Sequence, residues 1–365
     1  MIDREQRYQG CLTGLATGDA VGTTLEFQER GSFTPITDLV GGGPFNLQAG
    51  QWTDDTSMAL CLAHSLLDAD GFDADDQMHR YCAWRSNGYM SSTGRCFDIG
   101  VTASESISQY LKTGDPFSGS SDPSSAGNGS LMRLAPVAMY YSPDLESVIH
   151  YCGLSSRTTH GAAECIDACR YFGTLLHAAF GGLDKQALLQ CDLYQPETKK
   201  VAAIQAGSYR NKHIQQIRGS GYVIDCLEAS LWCFANTGDF ASAILAAANL
   251  GDDADTTQFA GIVREGDRLP ALEWMRFITP FGVGHFSHTE RANAYRPKAV
   301  AAWADSASWQ ADLSSLQPWM ATADTLWVGA YIDTWTAEGY ALSARLDMRE
   351  SELPCDWAPS HAISP

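Results

Sequence analysis

Apolar residues along most of this chain recur at the three- and four-residue spacing of a helix face, while alternating runs that would make half-buried strands are scarce. In "TSMALCLAHSLLDADG" the residues Met58, Leu62 and Leu66 repeat at four-residue steps, with Ala59 and Ala63 beside them. "GAAECIDACRYFGTLLHAAFGG" reads as a second helix ending at Gly181–Gly182. "GYVIDCLEASLWCFANTGDFASAILAAANLG" reads as two helices joined around Asn236–Asp239. "GGGP" at Gly41–Pro44 and "SGSSDPSSAGNG" at Ser118–Gly129 read as loops. These patterns predict a compact, multi-helix all-α fold with long loops. From about Trp303 the character changes, with Trp303, Trp309, Trp319, Trp327, Trp335 and Trp357 following in quick succession. We therefore expect a helical domain over residues 1–290 and a Trp-rich C-terminal extension over 291–365 that packs on it.

Composition narrows the function. Lys and Arg total 24 against 43 Asp and Glu, a formal charge of −19, which disfavours nucleic acid because phosphate binding needs a basic footprint. An acidic chain suits a basic partner instead. No apolar run approaches the ~20 residues of a membrane span, and the N-terminus lacks a basic segment followed by an apolar one. The 11 cysteines form no regular framework. Cys165 and Cys169 share a helix face without a second ligand pair at zinc spacing. The expectation is a cytoplasmic protein with buried thiols.

Two oxygen-rich clusters carry the chemistry. "GQWTDDTSMAL" places Thr53, Asp54 and Asp55 where a helix begins. Thr53 suits an N-cap and the carboxylates suit the helix dipole. "NLGDDADTTQFAG" repeats the arrangement, with Asp253, Asp255 and Thr256 after a glycine and before a helical run. One such cluster is explained by capping. Two are better explained jointly by hard cations such as Mg²⁺ or Mn²⁺, which take carboxylate and hydroxyl oxygens. A pair of facing clusters can hold two ions about 3.5–4 Å apart. The second cluster lacks the glycine and glutamate of an EF-hand loop. "AGNGSLMR", Ala126–Arg133, reads either as a helix-capping turn or as a loop whose glycines admit a ligand to backbone N–H groups. Arg210, Lys212, His213 and Arg218 form a basic patch that reads first as a solvated face and second as a pyrophosphate neighbour.

Taken in order, "GLATGDAVGTTLEF", "GGGPFNLQAGQWTDDTSMAL", "AGNGSLMRLAPVA", "TTHGAAECIDA", "GYVIDCLEASLW" and "NLGDDADTTQFAG" resemble the ADP-ribosylglycohydrolase family. The pattern looks nearest to the dinitrogenase reductase-activating type, and it spans Gly14 to about Gly266. The resemblance implies an all-α hydrolase with a two-metal centre. It implies metal ligands at Thr53, Asp54, Asp55, Asp253, Asp255 and Thr256, with two divalent cations, Mg²⁺ or Mn²⁺, as cofactors. Asp54, Asp55 and Asp253 then count as catalytic, together with Glu26, which is either an acid/base or a gate on the cleft. Gly127, Asn128, Gly129 and Ser130 are implied ADP-ribose contacts, as is His160, and Tyr222 is an implied adenine platform. The implied reaction removes ADP-ribose from protein side chains, foremost arginine, with an ADP-ribosylated protein as substrate and ADP-ribose as product. A rival reading is a protein that binds ADP-ribose or an ADP-ribosylating toxin without turnover, such as an immunity factor. Three departures stand out. Asp252 replaces a usual glycine, Val101 and Ala103 replace polar and small-thiol positions, and Arg264 and Glu265 replace small residues.

Overall fold

The computed structural model describes residues 4–254 of the chain. Among them lie eleven α-helices: α1 (Arg4–Gly22), α2 (Asp54–Asp68), α3 (Ala74–Asn87), α4 (Val101–Thr113), α5 (Ala135–Tyr141), α6 (Leu145–Arg157), α7 (Ala163–Phe180), α8 (Lys185–Leu188), α9 (Lys199–Gln205), α10 (Val223–Asn236) and α11 (Phe240–Ala248). The described residues contain no strand. Three isolated bridges join loops instead, pairing Gly42 with Leu47, Ser120 with His160 and Gly127 with Tyr222. The all-helical expectation is met, including the stop at Gly181–Gly182 and the break between α10 and α11. The loop at 118–129 is irregular except for one 3-10 turn at Pro123–Ser125. The expected Trp-rich extension and the boundary near residue 290 lie outside the described residues, as do Arg264 and Glu265.

Two apolar clusters meet along α2. Ala59, Leu62, Ala63 and Leu66 pack into one with α5, α7 and α10, while Met58 and Cys61 join Met78, Tyr81, Trp84, Ile107 and Ile244 in the other. A helix that is apolar on two sides must be central, and its ends are therefore held firmly by the surrounding bundle. α7 is buried on nearly every face, and it packs against α6 and α5. Several helix starts are capped in the ordinary way: Asp73, Asp144, Thr198 and Asp239 each accept a backbone N–H from the first turn that follows.

The ten cysteines of the described residues are thiols rather than disulfides. None of the described helices is long and apolar enough to cross a membrane.

Replacing Leu62, fully buried between α2 and the larger cluster, by alanine is expected to cost about 2–5 kcal/mol. Urea unfolding of the Leu62→Ala variant followed by circular dichroism checks this.

Candidate functional site

The start of α2 is built by a residue of another helix. Asp19, buried on α1, accepts four hydrogen bonds. Its Oδ1 takes Thr53 N at 2.8 Å and Thr53 Oγ1 at 2.9 Å. Its Oδ2 takes Thr56 N at 3.0 Å and Thr56 Oγ1 at 2.7 Å. The sequence expectation that Thr53 caps α2 through its side chain is corrected here. Thr53 occupies the N-cap position but makes no capping bond, because its hydroxyl proton goes to Asp19. Burial raises the Asp19 carboxyl above the usual range, and the bonds from Thr56 and Thr53 oppose that rise. The arrangement fits a cation site. With its one proton committed to Asp19, the Thr53 oxygen can still offer a lone pair. Asp54 and Asp55 follow at once in the first turn, both buried. Two adjacent buried carboxylates repel, and a divalent cation bound beside them would offset that repulsion.

The segments that carry Glu26 and Asp253 are joined by backbone pairing. Glu26 ends a 3-10 turn, Thr23–Leu25, that follows α1 directly, and its side chain is buried. The next residue, Phe27, donates its N–H to Asp252 O at 2.7 Å, and Asp252 N returns a bond to Gln28 O at 2.9 Å. Phe27 and Asp252 both have left-handed backbone, with φ of 60° and 58°. An aspartate tolerates that region better than most residues, which explains how Asp252 serves where a glycine is usual. Arg30 tightens the same joint by donating to Leu250 O, Ile214 O and Ile217 O at 3.0, 2.7 and 2.7 Å. Asp253 N bonds Gly219 O at 2.7 Å, and a Cβ on Gly221 would sit 3.1 Å from Asp253 Oδ2. Asp255 and Thr256 lie outside the described residues. Among the described residues, no three His, Cys, Asp or Glu side chains gather into a metal-holding group.

The glycine loop pairs with the start of α10. Asn128 N bonds Gly221 O and Val223 N bonds Ala126 O, each at 3.0 Å. His160 packs under the loop, so closely that a Cβ on Gly129 would lie 2.9 Å from its Cε1. Buried Arg133 donates to Thr159 Oγ1 at 2.7 Å, Thr159 Oγ1 shares a hydrogen bond of 2.8 Å with His160 Nδ1, and His160 Nε2 faces Gly127 and Gly129. Burial, and then the Arg133 charge, push the His160 pKa down to about 3. The imidazole is neutral. Asn128 is buried, and its side-chain Nδ2 has no hydrogen-bond partner among the described residues. Ser130 is fully buried with its hydroxyl shared between Ser156 and Cys169 at 2.9 and 3.5 Å, so any ligand contact falls to its backbone. The Tyr222 hydroxyl donates to Glu164 and accepts from Lys200 Nζ, the latter at 2.6 Å. The Lys200 ammonium stands 5.0 Å from the Tyr222 ring centre.

The remaining residues sort by their contacts. In the basic patch, Lys212 pairs with Glu228 at 2.6 Å, Arg210 donates to Leu189 O, and His213 caps the 3-10 turn at Ile214–Gln216. Those three groups serve the fold locally. Val101 is exposed and Ala103 buried, while Thr102 between them points its hydroxyl toward Gly127. Sequence reasoning assigned no role to Asp19, Arg133 or Thr102. The first two had a legible signal, since a charge inside a run of small or apolar residues needs buried partners.

Asp19→Asn presents an NH₂ group where two donors now point inward. We expect a loss of about 2–4 kcal/mol in urea unfolding, with hydrogen exchange rising first in the opening turn of α2. A second expectation concerns pH. Folded His160 titrates near 3, against an ordinary value of 6.5, so below pH 6.5 the unfolded chain binds the proton and the folded chain does not. Stability contributed by this group is therefore present above pH 6.5. It declines on acidification, by about 1.4 kcal/mol per pH unit at most. The difference in unfolding free energy between parent and His160→Asn, measured from pH 7 to pH 4, checks the sign.

A family profile described as ADP-ribosylglycohydrolase matches residues 1–259. A second, Peptide-N-glycosidase F, N terminal, matches residues 246–348, nearly all outside the described residues. The chain is 43% identical over 269 residues to ADP-ribosylarginine hydrolase Tri1 of Serratia proteamaculans, covering 72% of this chain and 73% of that one. It is 30% identical over 279 residues to the ADP-ribosyl-[dinitrogen reductase] glycohydrolase of Rhodospirillum rubrum, covering 73% and 88%. The expected nearness to the dinitrogenase reductase-activating type is therefore overturned, since the arginine-hydrolase relative is distinctly more similar. A solved structure titled "ADP-ribosylglycohydrolase-related protein complex" superposes with a TM-score of 0.61 at 34% identity, covering 76% of this chain and 99% of that one. The helices, the loops they hold and these likenesses agree: the chain belongs to the ADP-ribosylglycohydrolase family and is an enzyme of that family.

Proposed function

We propose that this enzyme hydrolyses the N-glycosidic bond between ADP-ribose and protein arginine side chains, using two divalent cations, Mg²⁺ or Mn²⁺. The observation that carries the reading is the Asp19-organised start of α2, which buries Thr53, Asp54 and Asp55 together. Thr53, Asp54, Asp55 and Asp253, completed by Asp255 and Thr256, are the residues that would hold the cations. Bound there, a divalent cation supplies a Lewis acid for ribose hydroxyl oxygens and lowers the pKa of water.

The chain's own residues do the rest. Gly127, Asn128 and Gly129 offer backbone and amide donors to the ADP-ribose, and the Asn128 amide is the one with hydrogen-bonding capacity to spare. Neutral His160 directs Nε2 toward the same loop, as a hydrogen-bonding group that carries no charge. Tyr222 presents a ring whose hydroxyl is already anchored by Glu164 and Lys200, which suits it to stacking on adenine. Glu26, buried in the loop clamped to Asp252, would serve either as the acid/base that gives a proton to the departing guanidine or as a gate on the cleft. Carboxylates around the anomeric carbon favour the positive charge that develops there. A cytoplasmic location belongs to the same proposal and is supported by thiols in place of disulfides. So does a Trp-rich extension over 291–365, and so does an ADP-ribosyltransferase or toxin as the source of the modified protein.

The test is release of free ADP-ribose from arginine-, serine- and DNA-linked substrates, with and without EDTA. We expect release from the arginine-linked substrate, loss with EDTA and recovery with added Mg²⁺ or Mn²⁺. Asp54→Ala and Asp253→Ala are each expected to lower turnover more than about a hundredfold. ADP-ribose binding without release from any substrate would instead make the protein a binder.

A further inference from the structure

Phe27 is the least economical residue near the site. A bulky aromatic on left-handed backbone is strained, and this one is also 67% exposed. Neither property helps the fold. A glycine or asparagine would satisfy the backbone, and a polar side chain would satisfy the solvent.

What surrounds Phe27 gives the ring a use. It follows Glu26 directly, and its own N–H is clamped to Asp252, next to Asp253. Its ring meets that of Phe45 edge to face, with centres 6.2 Å apart and planes at 75°. Phe45 in turn meets Phe97 at 5.2 Å. The three rings come from three segments that each border the acidic site. Phe45 belongs to the loop closed by the Gly42–Leu47 bridge, just ahead of Thr53. Phe97 stands between Asp98 and Cys96, whose thiol is pushed up to about 11 by burial and then by the Asp54 charge. An aromatic strip thus runs through segments that also carry Glu26, Asp98 and the approach to Thr53. Ring faces and carboxylates both attract cations, and a flat guanidinium stacks on a ring where an ammonium only touches it.

We propose that the exposed face of Phe27, backed by Phe45 and Phe97, receives the cationic guanidinium of the modified arginine and so selects arginine-linked over hydroxyl-linked ADP-ribose. This rests on the arginine-hydrolase reading above. A serine linkage carries no cation and gains nothing from the ring. The adenine end of ADP-ribose is assigned elsewhere, to the glycine loop and the start of α10.

The experiment measures kcat/KM on ADP-ribosyl-arginine and ADP-ribosyl-serine peptides, with inhibition by free ADP-ribose, for the parent, Phe27→Leu, Phe27→Trp and Phe27→Asn. Phe27→Leu is expected to lose about fivefold to tenfold on the arginine peptide, with inhibition by ADP-ribose unchanged, and Phe27→Trp to retain the parent value. Phe27→Asn, suited to left-handed backbone, is expected to match or exceed the parent melting temperature while losing the same activity. Equal activity of Phe27→Leu and the parent overturns the proposal alone. So does a parallel weakening of ADP-ribose inhibition, which would assign the ring to the nucleotide. A parent that does not cleave the arginine peptide overturns the underlying reading and this proposal with it.

Discussion

A single buried carboxylate organises the candidate site. Asp19 accepts both the backbone and the hydroxyl hydrogens of Thr53 and Thr56, so α1 performs for α2 the capping that Thr53 would otherwise do for itself. The gain is positional. A helix capped by its own residue starts where local sequence dictates. One capped from a neighbouring helix starts at a fixed place in the bundle, and the two aspartates that follow inherit that placement. Burial raises the cost of the Asp19 charge, and the converging N–H and O–H donors offset it.

The rest of the site hangs on loops joined by paired backbone bonds. Phe27 and Gln28 pair with Asp252, and Ala126 and Asn128 pair with Val223 and Gly221. Such short joints fix loops without needing a sheet, and they connect the segments carrying Glu26, Asp253, the glycine loop and Tyr222. Arg133 extends the same logic inward. Its guanidinium lies 4.6 Å from the Tyr81 ring centre and donates to Thr159, which shares a hydrogen bond with His160 Nδ1. Burial first, and this buried cation second, keep the histidine neutral.

Much of this is legible in the amino-acid sequence. Helical spacing is a short-range property, so α2, α7 and the pair α10–α11 were readable from apolar positions alone. The two Asp/Thr clusters were readable because carboxylates ahead of apolar sequence are costly and therefore conspicuous. Asp19 escaped notice although its signal was present, a charge amid the small residues of "GLATGDAVG". Its partners lie in another helix, and nothing in local spacing points to them. The resemblance to one family type was misleading for a similar reason. Short shared motifs mark the family, while the type is decided by similarity spread over the whole alignment.

The sequence by itself determined the helices, the family and the identity of the acidic and glycine-rich motifs, because each depends on residues near one another in the chain. Tertiary structure alone decided that Asp19 rather than Thr53 caps α2, that Ser130 turns its hydroxyl inward, and that His160 is neutral. It alone set Phe27 on strained backbone clamped to Asp252. All of these depend on which groups burial brings within about 3 Å of one another, and the spacing of motifs along the chain carries no record of that distance.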